Sequence, residues 1–471
     1  MKFKTMKIKR RTYGEYITPV QIFKKYILPE IKDDLYKYIW VDLFAGEGNL
    51  ILPILEMIPK NNRIEFFKKH IFLFDVQESL VNKAIDNAVK YGIPQKIAQE
   101  NIRQRDTIKD YPSFLLDFEL PIFHITNPPY LYIGYIVKHP ETQKYIDYFQ
   151  GENKGFQDLY QLALVNDLRY SIKKMVYIIP SNFLFGLSVS NKIRNVVLPF
   201  YTIRKAIIFE REIFEFTGTN VIICFFERKD IPKNEIISFN GIKINIIAQK
   251  RKYILDPENQ YRAGSEFEKF VNEYKAIKPL NITYYLTLEE VEKNKGEFEI
   301  EVLNVNAFNK TKYEKMKIYV NEKLFNKIKS NILFIRTLDT GTINGRAGLY
   351  EIKNVFDTDG ILVTKSKYRT QPIQIFIQPS LTIEEQILLK DYFNLLLEYF
   401  REKTDSEFMT TYKYSNSKYT RKYLGLSQVK NLVKTFPYFS LNDNDKIYLR
   451  NLIINKNIKK IMKYISDKNK N

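Results

Sequence analysis

The segment Tyr38-Ile39-Trp40-Val41-Asp42-Leu43-Phe44-Ala45-Gly46-Glu47-Gly48-Asn49 predicts an apolar strand that breaks into a glycine turn. The run from Leu50 to Met57 that follows it favours a helix. In this arrangement Gly46 and Gly48 let the backbone approach a ligand closely, and the start of the helix offers free N–H groups. A dinucleotide fingerprint needs a third glycine where Ile51 stands, so a nicotinamide or flavin cofactor is disfavoured. The loop is therefore expected to hold a ligand without phosphates.

Two further apolar segments end in an acidic residue. The segment Ile71 to Asp75 predicts a strand, and the carboxylate at its end could accept both hydrogen bonds from a ribose diol. The segment Asn101 to Asp106 ends in an acid that could accept a hydrogen bond from an adenine amino group. Each acid could instead be a solvated turn residue or a helix N-cap, since aspartate is common at both.

A proline-rich tetrapeptide follows a third predicted strand, Pro121 to Thr126. Asn127-Pro128-Pro129-Tyr130 combines an amide carbonyl, a backbone stiffened by two prolines, and an aromatic ring. Ligands of open α/β sheets bind at such strand ends, so the tetrapeptide is a candidate cradle for a flat ring that bears an amine. Taken alone, it could also be an ordinary turn after a strand.

The order of these motifs resembles that of S-adenosylmethionine-dependent methyltransferases, and in particular the gamma class of adenine-N6 DNA methyltransferases. The resemblance spans roughly the first half of the chain. The segment Tyr13-Gly14-Glu15-Tyr16-Ile17-Thr18-Pro19 is similar to the Thr-Pro segment of that class, and we expect Pro19 in the first turn of a helix from Val20 to Ile31, with Thr18 at its N-cap. Two later segments also lie at similar places: Gln157 to Tyr160, which should open an amphipathic helix, and Met175 to Phe183, a strand that leaves for a loop.

The resemblance implies that the methyl donor is S-adenosylmethionine. By this likeness Asp75 would hold its ribose and Asp106 its adenine. The implied cofactor-binding residues are Thr18, Pro19, Asp42, Phe44, Ala45, Gly46, Gly48, Asp75, Val76, Asp106 and Asn127. We expect no metal, because the three histidines lie apart in the sequence and one cysteine cannot form a zinc cluster.

The exocyclic amine of adenine is a poor nucleophile, because its lone pair is delocalised into the ring. The side-chain carbonyl of Asn127 and the backbone carbonyl of Pro128 would accept hydrogen bonds from that amine and localise the pair as it attacks the sulfonium methyl. Tyr130 would stack on the base, and Phe183 or Phe185 could cover its other face, although core packing is the better interpretation of both phenylalanines. The predicted catalytic residues are Asn127, Pro128, Pro129 and Tyr130.

A chain of 471 residues favours two domains, and a hydrophobic content of 45% supports extensive cores. A charged connector from Glu227 to Lys233 and a hairpin around Asn240-Gly241 should follow the core sheet of the first domain. We predict an α/β fold with a Rossmann-like methyltransferase domain (1–245) and a mixed α+β domain (246–471), whose boundary lies within about 232–264. Three late strands would complete a seven-stranded sheet in the first domain: Val176 to Ile179, Ile203 to Phe209 and Val221 to Phe226.

The chain has 74 Lys and Arg against 54 Asp and Glu, and the resulting net charge of +20 suggests an anionic partner. Codon bias of an AT-rich genome could supply part of this surplus. The distribution is more specific, since basic residues and tyrosines interleave without an acid between Glu407 and Asp443, and another acid-free stretch spans Lys365 to Arg369. A glycine-rich loop, Thr340 to Arg346, adds an arginine that could contact a base edge. The predicted DNA contacts are Arg346, Lys413, Lys418, Arg421 and Lys422, and a solvated basic face is the alternative.

The resemblance implies a site-specific methyltransferase that acts on the N6 amine of an adenine flipped out of double-stranded DNA, with the second domain recognising the target sequence. It also implies a restriction-modification setting, in which a cognate restriction endonuclease would act on the same site, and it implies no stable protein partner. Two alternatives stay open: an RNA adenine methyltransferase, and an inactive nucleic-acid-binding protein with this fold. The long second domain disfavours an enzyme that modifies a protein glutamine.

We expect a cytoplasmic protein. The basic segment Met1 to Arg11 runs on without the apolar stretch of a signal peptide, and no uninterrupted apolar run of about 20 residues is available to span a membrane. The single cysteine, Cys224, precludes an internal disulfide and fits a reducing compartment.

Overall fold

The computed structural model describes Gly14 and residues 17–210, 213–214, 220–244, 247–309, 312–339, 345–367, 371–405 and 423–470. These residues divide into two compact units, with the division between Ala263 and Gly264. We call them the amino-terminal and the carboxyl-terminal unit. The division lies at the end of the predicted boundary range, and the roles assigned to the two domains stay predictions.

The amino-terminal unit contains a nine-stranded sheet with the order β3-β2-β1-β4-β5-β7-β6-β8-β9. Strands β1 to β5 pair in parallel, and β7 is antiparallel to both of its neighbours. The predicted α/β class of this half is confirmed. The strands are β1 (Ile39–Asp42), β2 (Ile71–Asp75), β3 (Ile102–Gln104), β4 (Ile122–Thr126), β5 (Lys174–Pro180), β6 (Tyr201–Phe209), β7 (Val221–Arg228), β8 (Ile237–Ile244) and β9 (Ala248–Leu255).

The sheet has two strands more than the seven predicted. Strand β8 pairs in parallel with β6, and β9 pairs antiparallel with β8. Asn240 and Gly241, predicted as a hairpin turn, lie inside β8 and face Lys252 and Arg251 of β9, so that prediction was wrong. Gly241 serves packing instead, because a Cβ atom there would lie 2.5 Å from the ring of Tyr253.

The central strands are buried on both faces. Every residue of β1, β2 and β4 is buried, as expected for nearly continuous apolar runs in parallel strands that helices cover. Trp40 in β1 has no exposed surface, and its indole N–H donates to the carbonyl of Leu35 over 2.8 Å. Burial of each large apolar side chain contributes about 1.5–3 kcal/mol to stability. These strands are therefore a firm base for the loops that follow them and line the site.

Helices connect the strands of this unit. The α-helices are Val20–Ile22, Leu28–Ile31, Arg63–His70, Glu78–Lys90, Gln95–Asn101, Ile133–Ile136, Leu159–Arg169, Asn182–Phe185 and Ser188–Val197, with a π-helical turn at Phe23–Ile27. The 3-10 helices are Lys32–Asp34, Leu52–Met57, Lys60–Asn62, Ser113–Asp117, Pro140–Phe149, Gly151–Asn153 and Pro257–Asn259.

Two predictions about these helices were wrong in detail. Pro19, not Thr18, is the N-cap of the first helix, and no side-chain hydrogen bond caps it. The helix Leu159–Arg169 is not amphipathic, since its residues from Leu159 to Asp167 are all buried. It packs inside the unit rather than on its surface, so its polar side chains must find partners within the protein.

The carboxyl-terminal unit contains two four-stranded sheets, with the orders β10-β17-β14-β15 and β11-β16-β12-β13. The strands are β10 (Asn281–Tyr284), β11 (Leu286–Thr287), β12 (Lys295–Asn309), β13 (Lys312–Val320), β14 (Leu333–Arg336), β15 (Gly348–Glu351), β16 (Gly360–Val363) and β17 (Ile373–Gln378). The described helices are Glu266–Glu273, Leu288–Lys293, Glu322–Lys329, Ile352–Phe356, Ile383–Lys403, Leu426–Val433, Asp443–Ile454 and Ile458–Lys470, with a 3-10 turn at Tyr438–Ser440.

The helix Ile383–Lys403 is the longest of this unit among the described residues. A capping box starts it: the hydroxyl of Thr382 accepts from the backbone of Glu385, whose carboxylate accepts from the backbone of Thr382. Phe400, near its end, packs edge-on against Phe267, with 5.6 Å between the ring centres. The buried side chains of this helix, from Leu388 to Phe400, belong with Phe267 to one hydrophobic core of the unit.

Candidate active site

A cleft of about 800 Å³ opens where β1, β2 and β4 end, and the loops after these strands line it. A smaller pocket of about 260 Å³ shares four of its residues. Nine of the predicted cofactor residues line one or both: Thr18, Asp42, Phe44, Ala45, Gly46, Asp75, Val76, Asp106 and Asn127. Pro19 and Gly48 are not among the described lining residues of either, and Gly48 packs against Leu52.

The glycine loop is tied to the end of β2. The backbone N–H of Ala45 donates to the carbonyl of Phe74 over 2.8 Å, and that of Gly46 donates to Oδ2 of Asp75 over 2.9 Å. Gly46 has a φ of +54°, and a Cβ atom built on it would meet no atom within 4 Å. The loop therefore presents bare backbone to open space in the wall of the cleft.

Asp75 holds two loops at once. Its Oδ1 accepts from the backbone N–H of Gln77 over 2.9 Å, while Oδ2 accepts from Gly46. Burial raises the pKa of Asp75 above its ordinary value, and these backbone hydrogen bonds oppose the shift. Each carboxylate oxygen can accept more than one hydrogen bond, so the group can still receive hydroxyl groups from a ligand.

Asp42 lies deeper, at 1% exposure. Its Oδ1 accepts from the hydroxyl of Thr126 over 2.6 Å and from the backbone N–H of Phe44 over 3.0 Å. Burial raises the pKa of Asp42 to about 6. The carboxylate links the ends of β1 and β4, and thus the glycine loop to the residue before Asn127.

Asn127 and Tyr130 form a chain of side-chain contacts with Thr18. The amide nitrogen of Asn127 donates to the hydroxyl of Thr18 over 3.0 Å, and the hydroxyl of Tyr130 donates to Oδ1 of Asn127. That hydroxyl also lies 2.8 Å from the carbonyl of Ile178. The backbone N–H of Tyr130 donates to Gly14, where a Cβ atom would come within 2.5 Å of the Tyr130 carbonyl. The Thr-Pro segment and the proline-rich tetrapeptide therefore meet in space.

The chain after the tetrapeptide pairs with a second predicted segment. The backbone N–H of Leu131 donates to Oδ1 of Asp158 over 2.9 Å, and that of Ile133 donates to the carbonyl of Gln157 over 2.9 Å. These bonds anchor the exit of the tetrapeptide to the start of the helix Leu159–Arg169. Leu159 itself lines the cleft.

The cleft also contains aromatic residues that the sequence did not single out. Tyr145 and Tyr148 line it, and the hydroxyl of Tyr148 donates to Oδ2 of Asp106 over 2.5 Å. Burial and this hydrogen bond raise the pKa of Tyr148 above its ordinary value, so the phenol stays a donor. The three-residue spacing of these tyrosines in Pro140–Phe149 could have indicated a shared helix face. With 34 tyrosines in the chain, that spacing was not distinctive.

A model of the N-6 DNA methylase family matches residues 3–317. The chain belongs to this family. The resemblance drawn from the motifs is thereby confirmed. No curated protein matches the chain.

Solved structures of restriction-modification proteins are similar to this N-6 DNA methylase at low identity. The EcoKI M protein of a type I restriction enzyme is 11% identical with a TM-score of 0.37, over 94% of this chain and 73% of that chain. A type I methyltransferase subunit from Streptococcus thermophilus is 19% identical with a TM-score of 0.35, over 49% of this chain. DrdV, in a complex with DNA, is 12% identical with a TM-score of 0.38, over 54% of this chain. The chain spans 31% of the DrdV chain and 48% of the Streptococcus subunit.

The two phenylalanines predicted as stacking partners are buried in this N-6 DNA methylase. Phe183 has no exposed surface and packs edge-on against Phe226, with 5.7 Å between the ring centres. Phe185 is 7% exposed and packs near Tyr253. Among the described residues that line the cleft, neither is present. Core packing thus accounts for both rings, and stacking on a base stays a prediction.

The predicted DNA contacts are only partly within the described residues. The guanidinium group of Arg346 pairs with the carboxylates of Glu398 and Glu402, the latter at 3.2 Å. These ion pairs compete with any contact that Arg346 would make to DNA. Four predicted contacts lie outside the described residues: Lys413, Lys418, Arg421 and Lys422.

Within the described ranges, no group of three or more His, Cys, Asp or Glu side chains is placed to hold a metal ion. No helix in the same ranges is long and apolar enough to cross a membrane.

Proposed function

We propose that the chain transfers a methyl group from S-adenosylmethionine to the N6 amine of an adenine flipped out of double-stranded DNA, as the modification part of a restriction-modification system. One observation carries this proposal: Asn127, oriented by Thr18 and Tyr130, lines the same cleft as Gly46 and Asp75. The amide oxygen of Asn127, which can accept from an amine, thus lies in the same cleft as the Gly46 loop and the Asp75 carboxylate, which suit a nucleoside.

The residues of the cleft fit S-adenosylmethionine. Apolar side chains such as Leu80 and Ile108 contribute to the walls of the cleft, as is usual for sites that bind small molecules. The open space beside Gly46 leaves room for a ligand against the backbone. We assign the ribose to Asp75 and the adenine to Asp106, with the methionine part near Thr18. When bound, S-adenosylmethionine supplies an electrophilic methyl group.

The protein would act on the target amine through positioning and electrostatics. Oδ1 of Asn127 and the backbone carbonyl of Pro128 would accept hydrogen bonds from the two amine hydrogens. Two fixed acceptors draw the nitrogen away from planarity, so its lone pair becomes available for attack, and one amine proton leaves to water after transfer. An amide oxygen has two acceptor positions, so Tyr130 can orient Asn127 while the base binds.

The carboxyl-terminal unit supplies the surface that we assign to DNA. The sequence singled out three segments for this role, 340–346, 365–369 and 413–434. Described residues beside or within them are joined: the hydroxyl of Thr337 donates to the side chain of Gln371 over 3.1 Å, and the backbone N–H of Leu424 donates to Thr337 over 2.7 Å. Thr337, Gln371 and Leu424, which are far apart in sequence, therefore lie together in this unit.

Basic side chains lie beside half-buried aromatic rings in the same unit. Lys365 and Lys367 are exposed, and the ammonium group of Lys367 lies 5.8 Å from the ring centre of Tyr285. The guanidinium group of Arg336 stacks on Tyr350 at 4.6 Å. Cations beside aromatic faces suit contacts with phosphates and bases, which supports a DNA-binding role.

The experiment that tests the function incubates the protein with labelled S-adenosylmethionine and either DNA or RNA, and then maps modified bases by sequencing. We expect N6-methyladenine at one recurring DNA sequence. The variant Asn127→Ala should lose turnover by at least about a hundredfold and largely keep its affinity for S-adenosylmethionine, because its bond to the substrate amine matters chiefly in the transition state. Label in RNA alone, or no label in either nucleic acid, contradicts the proposal.

A further inference from the structure

A network of buried polar side chains lies beneath the cleft. His124 in β4 and Asp167 in the helix Leu159–Arg169 are 1% and 0% exposed. Nδ1 of His124 lies 2.5 Å from Oδ2 of Asp167, and the hydroxyls of Tyr177 and Tyr111 donate to the same carboxylate over 2.6 and 3.2 Å. Burial and the nearby carboxylate raise the pKa of both phenols well above the ordinary value, so both remain donors.

The other ring nitrogen of His124 faces the cleft wall. Its Nε2 accepts from the backbone N–H of Leu43 over 3.3 Å. The carbonyl of Leu43 accepts from the hydroxyl of Thr107 over 2.8 Å, and Leu43 and Thr107 both line the cleft. A backbone N–H can only donate, so Nε2 must carry no proton, and the ring proton lies on Nδ1 toward Asp167.

We infer that Asp167 and His124 are positioning residues for cofactor binding: the carboxylate selects the ring tautomer, and the tautomer holds the peptide of Leu43 where β1 enters the glycine loop. Neither side chain touches the ligand. This inference rests on the proposed function, because it takes the cleft as the S-adenosylmethionine site. The opposite tautomer would point a ring N–H at the backbone N–H of Leu43 and leave that buried donor unpaired.

The helix Leu159–Arg169 also supports a second part of the cleft wall. The side-chain nitrogen of Asn166 donates to the carbonyl of Ile108 over 3.0 Å, and Ile108 lines the cleft. Adjacent positions of the helix thus support the loop after β1 and the loop after β3. This placement explains why a helix buried on all sides keeps two polar residues in sequence.

The variant Asp167→Asn tests the inference, because an amide can turn its NH₂ group toward Nδ1 and reverse the tautomer. We expect the affinity for S-adenosylmethionine, measured by calorimetry, to fall about tenfold or more. Tyr177→Phe is the matched control, since it removes a donor from the same carboxylate oxygen without changing the ring. Its affinity should stay within about threefold of the wild type.

Two substitutions at His124 distinguish the effect of its hydrogen bonds from the effect of its packing. Glutamine offers one donor and one acceptor in place of the two ring nitrogens, whereas leucine offers neither. His124→Gln should therefore keep more affinity than His124→Leu. This comparison remains decisive if Asp167→Asn fails to fold.

The tautomer can be observed directly by long-range ¹H–¹⁵N correlation in histidine-labelled protein. The chain has three histidines, so loss of one signal in His124→Gln assigns it. We expect the proton on Nδ1 in the wild type and on Nε2 in Asp167→Asn. An Nε2 proton in the wild type, or wild-type affinity in Asp167→Asn, overturns the inference. A wild-type protein that binds no S-adenosylmethionine overturns the proposed function instead.

Discussion

The side-chain amide of Asn127 donates to the hydroxyl of Thr18 over 3.0 Å, although 109 positions separate the two residues in sequence. With the nitrogen turned toward Thr18, the amide oxygen faces the hydroxyl of Tyr130. The two ends of an amide differ in hydrogen bonding rather than in shape, so these neighbours decide which end a substrate amine meets. Thr18 thereby orients the residue that we propose as the main acceptor in catalysis.

Replacement of the Thr18 hydroxyl should reduce turnover. In Thr18→Val the amide of Asn127 loses its acceptor and can present its nitrogen to the substrate, so we expect kcat to fall about tenfold. Thr18→Ser keeps the hydroxyl and should stay near wild-type kcat. Steady-state methylation of a target duplex measures both. Equal kcat values for the two variants would show that the hydroxyl does not orient Asn127.

Loss of the Asp75 carboxylate should weaken cofactor binding. Asp75→Ala removes the acceptor that holds Gly46 and Gln77 and that we assign to the ribose, so the Kd for S-adenosylmethionine should rise about tenfold to a hundredfold. Asp86→Ala removes an exposed acid and controls for net charge. Calorimetry with both variants checks the effect, and a Kd that stays at the wild-type value in Asp75→Ala refutes the assignment.

A methyl group on Gly46 should weaken ligand binding more than it weakens the folded state. Gly46 and Gly151 have φ values of +54° and +57°, and a Cβ atom at either would meet no atom within 4 Å. Alanine at either position should therefore cost a similar unfolding free energy of about 1–2 kcal/mol. Only Gly46→Ala should lose affinity for S-adenosylmethionine, by about tenfold or more. Equal affinity for S-adenosylmethionine in the two variants would show that the ligand does not lie against Gly46.

Burial of Asp42 should make stability depend on pH. The pKa of Asp42 is raised to about 6, so between about pH 4 and 6 the folded protein holds a proton that the unfolded chain has lost. The associated stability is fully present below about pH 4 and is lost as the pH rises through 6. Asp42→Asn keeps an oxygen for Thr126 and Phe44 and carries no charge. Over this window the unfolding free energy of the wild type should fall relative to Asp42→Asn by roughly 3 kcal/mol. Urea titrations at several pH values would measure this difference, and parallel curves would contradict it.

Neutralisation of Lys365 and Lys367 should change the salt dependence of DNA binding. Each phosphate contact contributes about 0.9 to the slope of log affinity against log salt concentration, so Lys365→Ala with Lys367→Ala should reduce the slope by about 1 to 2. Lys315→Ala with Lys353→Ala removes the same charge from lysines that pair with Asp357. Fluorescence anisotropy at several salt concentrations would compare the two. An equal change in both would indicate an effect of net charge alone.

Much of the first half could be predicted from the sequence, because strand formation there depends on short apolar runs. The segment Ile71 to Asp75 forms β2 with the predicted bounds, and Asn127 directly follows β4 as expected. Such runs are local and leave little choice in a parallel sheet that helices cover. The prediction of a hairpin at Asn240-Gly241 was wrong because a glycine also suits a strand in which a neighbouring ring, here that of Tyr253, occupies the space of a side chain.

The amino-acid order alone determined that a glycine loop, an acid and the proline-rich tetrapeptide would stand at strand ends, since each motif lies next to its own strand. Only the tertiary structure decided the partners of their side chains. Thr18 was expected to cap a helix and contacts Asn127 instead, and His124 joins Asp167 to Leu43. Side-chain hydrogen bonds form between atoms within about 3 Å in space, whatever their separation along the chain, and for that reason no local pattern announces them.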